Sequence, residues 1–403
     1  MTSTRRPRVC FFNRSYWPDT GATGQLLTEL AEDLVALHGF DVTVVSGPSA
    51  NGAAGREVRN GVTIVRAAGT QFAPKVFAGR VSNYLSYFGS ALLQALRLPK
   101  QDVVVALTDP PVIGLAALTA TRGRAPFVFF CQDIFPEVGA LVETFRSRVV
   151  DSTLERINRL LVHRADRIVA IGETMAERLR EGKGAAAERI RIIHNWADAT
   201  AIVPSAKSNP FSIAHGLDNR FVVLHAGNIG LAQNLDVVLE AAALLTDVPP
   251  VLFLFIGDGS QRASLEQRAR ERGLANVRFL PFQPRDQMRW TYASADVCLV
   301  SLKAGLSGYI VPSKLYPILA AGRPYIAAVE DTSEVAAITR QHQCGLVAPP
   351  GDAQALASVV RTLAADRAVC ERMGAAARGA APLFDRARQV AAHAAVLREV
   401  ARA

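Results

Sequence analysis

The order of elements in the first 46 residues constrains the fold most. Residues 8–13 are a short apolar run ending in Asn13, and residues 15–24 form a loop carrying Gly21 and Gly24. Leu26, Leu27, Leu30, Leu34 and Leu37 then recur at helical spacing, and residues 41–46 are a β-branched run. Strand, loop, helix and strand in that order require a crossover, and a crossover of this length joins parallel strands.

The pattern repeats along the chain. Apolar runs at 62–66, 102–107, 126–131, 167–171 and 190–193 are separated by helical or loop segments. Near-continuous apolar character is what strands need when helices cover both faces of their sheet. Between 197 and 220 the pattern breaks, and Pro204, Ser205, Lys207, Ser208, Asn209 and Pro210 mark an exposed connection. It then restarts with a strand at 221–226, a turn at 227–230 and a helix at 235–245. A strand at 251–256 closes on Gly257-Asp258-Gly259, and further strands are expected at 277–280, 297–300, 325–329 and 345–347. Residues 352–403 read as helical, interrupted near Pro382. The expected fold is α/β, with doubly wound Rossmann-like domains over 1–203 and 204–381 and a terminal helical segment over 382–403. At 403 residues the chain exceeds what one core ordinarily holds.

Charge narrows the function classes. The formal net charge of +9 is spread over both halves, unlike a nucleic-acid-binding tail, so no nucleic-acid partner is expected. One stretch stands apart. Residues 56–100 carry Arg56, Arg59, Arg66, Lys75, Arg80, Arg97 and Lys100 against the single acid Glu57, a surface suited to membrane phosphates. The five cysteines are scattered without C-x-x-C spacing, so neither a disulfide framework nor a metal site is expected, and a reducing compartment fits. The basic start lacks the apolar stretch of a signal peptide, and no uninterrupted apolar run is long enough to predict a membrane span.

Ligands of open α/β sheets bind beyond the carboxyl ends of the strands, so the strand-to-helix loops carry the functional signal. Three of them hold glycines: Gly21-Ala-Thr23-Gly24, Gly227-Asn228-Ile-Gly230 and Gly257-Asp258-Gly259. Glycine lets a backbone approach a phosphate, and a following helix start offers free N–H groups. Tight turning alone is the alternative for each loop. None of the three is G-x-G-x-x-G or a Walker loop, which argues against a nicotinamide oxidoreductase or an ATPase. Residues 301–322 say more. A Gly/Ser loop leads to Pro312-Ser313-Lys314 and then to a helix expected to end at Ala321-Gly322. Proline pre-organises a helix start. Lysine is disfavoured there by the helix dipole, so Lys314 at that position argues for an anionic ligand, with a solvated surface lysine as the alternative.

Taken together these motifs resemble the retaining GT-B glycosyltransferases of family four. The narrower likeness is to bacterial enzymes that add sugars such as N-acetyl-L-fucosamine during O-antigen, capsule or colanic-acid assembly. The residues that carry the resemblance are Y-W-P-D-T-G-A-T-G at 16–24, C-Q-D-I-F-P-E at 131–137, H-N-W-A-D at 194–198, H-A-G-N-I-G at 225–230, F-I-G-D-G at 255–259, Y-A-S-A-D-V at 292–297 and P-S-K-L-Y-P-I-L-A-A-G-R-P at 312–324.

The resemblance implies a GT-B fold, with two domains facing a cleft and a C-terminal helix crossing back. It implies a nucleotide-sugar donor, UDP-linked, and a lipid-diphosphate-linked glycan acceptor. Gly21, Thr23 and Gly24 would face the donor diphosphate and the acceptor, with Asn195 of the H-N-W-A-D motif as a further substrate-binding residue. Asn228, Gly230, Ser313 and Lys314 would hold the diphosphate, while Gly257, Asp258, Gly259, Phe282 and Gln283 would border the base and ribose. The sequence departs from the family where two glutamates ahead of the helix end are replaced by Tyr309 and Pro317, and where a Gly-Arg…Lys pair becomes Asn228 and Gln233. Lys314 is then the main cation left for the diphosphate, and Glu334 is a candidate for the lost ribose or sugar-hydroxyl contact, or else a helix cap.

Departure of the diphosphate builds negative charge, and donors fixed beforehand stabilise it. Backbone N–H groups and Lys314 supply such donors without a metal, and no Asp-x-Asp motif follows a strand, so no cofactor is expected. Asp133, just past the run at 127–131, is the candidate acceptor base, with Glu137 as its runner-up and a turn cap as the structural alternative. Same-face retaining attack would need no protein base, and Asp133 would then bind a donor hydroxyl. Residues 72–97 mix Phe72, Lys75, Phe77, Arg80, Tyr84, Tyr87 and Phe88, with Leu85, Phe88, Leu92 and Leu96 at helical spacing. They suggest peripheral contact with the inner face of the cytoplasmic membrane, or an ordinary helix packed on the sheet. A nucleotide-sugar epimerase and a non-catalytic scaffold of the same fold are the competing readings.

Overall fold

The computed structural model describes residues 5–19, 21–48, 54–72, 77–141, 147–248 and 250–402. Lys75 of the basic stretch lies outside the described residues, as do the side chains of Phe77 and Arg80. The chain divides into two compact units, residues 1–194 with 389–403, and residues 195–388. The first boundary therefore falls at His194/Asn195, nine residues before the expected 203/204, and the returning segment begins at Gln389 and not at 382.

Among the described residues the first unit holds eight strands: β1 (Arg8–Phe12), β2 (Asp41–Ser46), β3 (Gly55–Arg59), β4 (Val62–Arg66), β5 (Val103–Ala106), β6 (Phe127–Cys131), β7 (Arg167–Ala170) and β8 (Ile190–Ile192). Their order across the sheet is β3-β4-β2-β1-β5-β6-β7-β8. All neighbours are parallel except β3 and β4, whose antiparallel hairpin turns at Asn60-Gly61 with both residues at positive φ. Strands β5 and β6 are buried along their whole length, consistent with helices on both faces. The chain enters the sheet at β1, moves out to β2, and later returns to the other side of β1 as β5. The carboxyl ends of β1 and β5 therefore mark a topological switch point.

Residues 389–403 close this unit through specific contacts. His393 packs on Phe130 with ring centroids 4.6 Å apart. Glu399 pairs with Arg167 and Arg191, while Arg398 donates to the His38 carbonyl and covers the Phe40 ring.

The second unit holds β9 (Phe221–Ala226), β10 (Val251–Ile256), β11 (Val277–Leu280), β12 (Val297–Ser301), β13 (Tyr325–Ala328) and β14 (Gly345–Ala348). Their order is β11-β10-β9-β12-β13-β14, parallel throughout, with a switch point between β9 and β12. Val223, Phe253, Phe255, Leu299 and Ile326 from the strands meet Leu239, Leu265, Leu356 and Leu363 from the helices in one core. All five cysteines are free and buried. No described helix is long and apolar enough to cross a membrane.

Candidate functional site

Each unit concentrates polar groups at its switch point. In the first, a cavity of ≈ 300 Å³ opens among the loops after β1, β5 and β6, lined by Arg14, Ser15, Gly21, Thr23, Gly24, Tyr84, Thr108, Asp109 and Asp133 among others. The helix Ala22–Ala36 begins here, with Gly21 in extended conformation as its cap residue. The Asp19 carboxylate accepts the Gly21 N–H at 2.8 Å and so shapes the loop. Gly24 is buried, and a Cβ there would stand 3.3 Å from the Tyr16 backbone nitrogen, so the loop lies tight on the helix start. Thr23 lines the cavity beside it.

Asp133 reaches this cavity because β6 ends at Cys131 and its short loop turns there. Burial, with the Asp109 charge opposing ionisation, pushes its carboxyl up to about 7. Asp109 itself is held by the Ser15 hydroxyl and by Arg14, whose Nε lies 3.3 Å from Oδ1. The Arg14 guanidinium covers the Tyr84 ring at 5.3 Å. A carboxyl that titrates near neutrality in a polar cavity is suited to accept and return a proton.

Glu137 is placed elsewhere. Its carboxylate binds the Lys183 ammonium at 2.7 and 3.0 Å, and Lys183, 1% exposed, also pairs with Glu155. Glu137, expected as the runner-up base, thus serves an ion pair that ties the β6 loop to the helices Arg148–Arg164 and Glu173–Lys183, and it does not line the Asp133 cavity.

In the second unit the loops after β9 and β10 are interlocked. Ile229 N–H donates to the Asp258 carbonyl at 2.8 Å, Gly227 N–H to Ile256 at 2.8 Å and Gln261 N–H to Ile229 at 3.0 Å. A Cβ on Gly257 would lie 1.9 Å from the Gly227 carbonyl oxygen, and one on Gly259 would lie 2.3 Å from that of Ile229. Gly257 and Gly259 are therefore required by backbone-on-backbone packing, whatever ligand the loops meet. Gly230 is closed in by the Asn228 and Gln233 side chains, and its N–H donates to Gln233 Oε1 at 3.1 Å. Asn228 and Asp258 are exposed at the rim of this loop pair.

Lys314 comes to the same place from the loop after β12. Its Nζ is 3.1 Å from Nε2 of His225 and 3.4 Å from Nδ1. A Cβ on Gly227 would be 3.9 Å from the same nitrogen. His225 is buried at the end of β9, with Nε2 3.2 Å from the Asn228 carbonyl. Burial drops the Lys314 ammonium to about 7. Burial and the Lys314 charge hold the His225 imidazole well below its usual range, against the pull of the Asn228 carbonyl. Among the described residues no carboxylate lies within ion-pair distance of Lys314, so the cation rests against a neutral imidazole. An anion arriving at the Gly227–Gly230 loop would supply the missing counter-charge.

The helix expected to begin at Pro312 begins at Leu315, with Lys314 as its cap residue. Ser313 and Lys314 thus sit in a turn ahead of the helix, where Leu315 N–H bonds to the Pro312 carbonyl at 3.3 Å. The preceding loop folds over Glu330, whose carboxylate accepts the N–H groups of Gly305 and Ser307 at 3.1 and 3.2 Å. Glu334 is buried at the start of the helix Glu334–His342, and Ser333, not Glu334, caps that helix by accepting from Ala336 N–H. Phe282, just past β11, is 51% exposed, and Gln283 bonds back to the Pro281 carbonyl. Asn195 is buried at the first residue of the second unit.

Two groups of expected residues are brought together within their own units: Gly21, Thr23, Gly24 and Asp133 in the first, and Asn228, Gly230, Gly257, Gly259 and Lys314 in the second. Sequence reasoning missed Arg14, Asp109, Tyr84 and His225 as site residues. The signal for His225 was available, since a histidine ends an apolar strand beside the Gly227 turn.

The comparisons with known proteins agree with this anatomy. Residues 21–196 match the family model of the glycosyl transferase 4-like domain, and residues 210–380 match that of the glycosyl transferases group 1. WbjE of Pseudomonas aeruginosa is 30% identical over 66% of this chain and 66% of its own length. WcaI of Escherichia coli K12 is 34% identical over 43% of each. The matched region thus spans less than two thirds of either relative. Among solved structures, Anabaena HepE in complex with UDP-glucose superposes with a TM-score of 0.75 at 18% identity, covering 97% of this chain and 99% of that one. With two parallel-sheet Rossmann-like units and two family models in series, the chain belongs to the family-four glycosyltransferases of GT-B fold.

Proposed function

We propose that the chain transfers a sugar from a UDP-linked donor to a lipid-diphosphate-linked glycan acceptor during surface polysaccharide assembly. The observation that carries this reading is Lys314, a half-buried ammonium with a neutral imidazole at 3.1 Å and glycine backbone at its side. In the proposed reaction Lys314, Ser313 and the N–H groups of the Gly227–Gly230 loop receive the diphosphate as its charge grows, so the phosphates are neutralised by the protein itself. Phe282 offers its exposed ring to the uracil face, and the exposed Asp258 and the buried Glu334 are the acids proposed to meet ribose or sugar hydroxyls. Asp133 takes the proton of the acceptor hydroxyl or, in same-face attack, binds a donor hydroxyl. UDP as the nucleotide is supported by HepE, solved with UDP-glucose. The polysaccharide setting is supported by WcaI, which is named for colanic acid biosynthesis.

The lipid-linked acceptor and a place on the inner face of the cytoplasmic membrane draw support from the helix Phe77–Arg97. Tyr87, Ala91 and Ala95 form its buried face, and the Tyr87 hydroxyl donates to the Val45 carbonyl at 3.1 Å. Leu85, Leu93 and Leu96 are exposed, with Phe72 exposed in the preceding loop. The outward row is thus Leu85, Leu93 and Leu96, whereas Phe88 and Leu92 of the expected stripe are only half-exposed. An apolar row ending in Arg97 and Lys100 suits an anionic interface.

Donor consumption tests the reading. UDP-sugars are offered singly with and without an undecaprenyl-diphosphate-linked saccharide, and UDP release is followed. Release that needs both partners supports it. Interconversion of the donor sugar without an acceptor would replace it with an epimerase.

A further inference from the structure

The transferase reading uses the carboxyl ends of the strands. A second concentration of charge lies at the opposite edge of the first sheet. A hollow of ≈ 500 Å³ is lined there by Arg5, Arg6, His38, Asp102, Arg398 and Arg402, among others. Arg5 and Arg6 lie just ahead of Pro7 and β1, His38 lies ahead of β2 and Asp102 ahead of β5. Strands of five residues put this edge about 16 Å from the Asp133 cavity. The hollow is therefore separate from that cavity.

Its construction is selective. Arg5 binds the Asp102 carboxylate at 2.9 and 3.0 Å, which accounts for the single acid of the lining. Arg398 is fixed by the His38 carbonyl at 2.6 Å and by the Phe40 ring beneath it. Arg402 stands one helical turn beyond Arg398 on the helix Arg386–Arg402, and Arg6 lines the same hollow from the segment ahead of β1. Among the described residues Arg6 and Arg402 have no ion pair or hydrogen bond, so their charges are uncompensated. A concave wall with two pre-set guanidiniums, two free ones and one neutralised acid favours a ligand with two or more negative charges. Guanidinium forks match phosphate oxygens bidentately.

We infer that this hollow is a phosphate-binding site distinct from the sugar-transfer site, accepting a diphosphate or phosphomonoester group presented either by a soluble metabolite or by a lipid headgroup. Neither source needs a strand edge or an apolar groove, because the four guanidiniums supply the recognition.

The test uses the full chain with UDP in excess, so that the Lys314 site is occupied. Inorganic pyrophosphate is titrated calorimetrically, and vesicles containing phosphatidic acid, a phosphomonoester lipid, are tested by flotation. Both are compared between the unsubstituted protein, Arg6→Gln/Arg402→Gln and the remote surface control Arg272→Gln. The expected result is a loss of about tenfold or more in binding of at least one probe in the double variant. UDP affinity and the control should be unchanged. Loss with pyrophosphate identifies a soluble phosphate compound, and loss with vesicles alone identifies a lipid headgroup. Equal binding of both probes by the double variant and the unsubstituted protein would overturn the inference, as would binding of neither probe by the unsubstituted protein. Since Arg6 and Arg402 hold no other part of the described structure, the double variant should melt with the parent, and Arg6→Lys/Arg402→Lys should restore part of the affinity.

Discussion

Replacing Asp133 by Asn should make the protein slower and more stable at once. The carboxyl stands at about 7 against an ordinary 3.8, pushed up by burial and then by Asp109. An acid whose folded value is raised holds its proton more tightly in the native state. Native stability is then highest at low pH and is lost as pH climbs from about 4 through 7. A shift of that size corresponds to about 4 kcal/mol at full ionisation. Asp133 is half-buried in an open cavity, and solvent screening reduces the cost to about 1–2 kcal/mol. The amide introduced by Asp133→Asn carries no charge and escapes that cost, so the variant should melt about 3–6 °C higher at pH 8. The gain should shrink as pH falls towards 4. Loss of the base should lower turnover about 100-fold or more. Differential scanning fluorimetry across pH, paired with donor-consumption rates, reads both effects. A variant that melts lower at pH 8 would show that Asp133 is a structural cap, and near-normal turnover would remove it from the chemistry.

The other predictions concern the second unit and the β6 loop. Lys314→Met should weaken UDP binding about 10- to 100-fold by calorimetry. Because the free ammonium sits at about 7, UDP binding to the unsubstituted protein should take up protons at neutral pH, and affinity should fall as pH rises above 7. Buffers of different ionisation enthalpy will reveal that uptake. Gly257→Ala drives a Cβ against the Gly227 carbonyl and should cost about 4 kcal/mol or more, with loss of UDP binding. Gly273→Ala, at positive φ with nothing within 4 Å, should cost only about 1 kcal/mol in a denaturant melt. Lys183→Met leaves Glu137 and Glu155 without their shared cation and should cost about 3 kcal/mol. Glu137→Gln should keep near-normal turnover, and a loss as deep as that of Asp133→Asn would restore Glu137 as a base.

Much of this architecture is legible in the sequence because buried parallel strands announce themselves. The runs at 41–46, 62–66, 221–226, 251–256 and 277–280 coincide with β2, β4, β9, β10 and β11. Strand β3 does not, since Gly55–Arg59 is an exposed edge with no apolar pattern, although Asn60-Gly61 carries the hairpin signal. The unit boundary falls at 195 because Asn209 caps the helix Pro210–Ala214 inside the second unit, so the proline-rich segment is part of that unit and not the connection itself. Candidate site residues were legible where a loop position singles them out, as with Lys314. They were not where partnership decides the role. Asp133 and Glu137 are equivalent in a string of letters, and only the fold brings Lys183, 46 residues away, onto Glu137. Likewise Gly257 and Gly259 read as phosphate glycines, whereas their tightest constraint is the neighbouring β9 loop.

Lys314 and the β9 loop are proposed to hold a donor diphosphate whose sugar is passed to a lipid-linked acceptor. The most direct measurement incubates the full chain with a panel of UDP-sugars and an undecaprenyl-diphosphate-linked saccharide, and follows UDP release together with extension of the acceptor by mass spectrometry. One donor should give stoichiometric UDP and acceptor extended by one sugar, with both signals lost in Lys314→Met. Absence of acceptor extension with every nucleotide-sugar donor, from a protein that still binds UDP, would contradict the account.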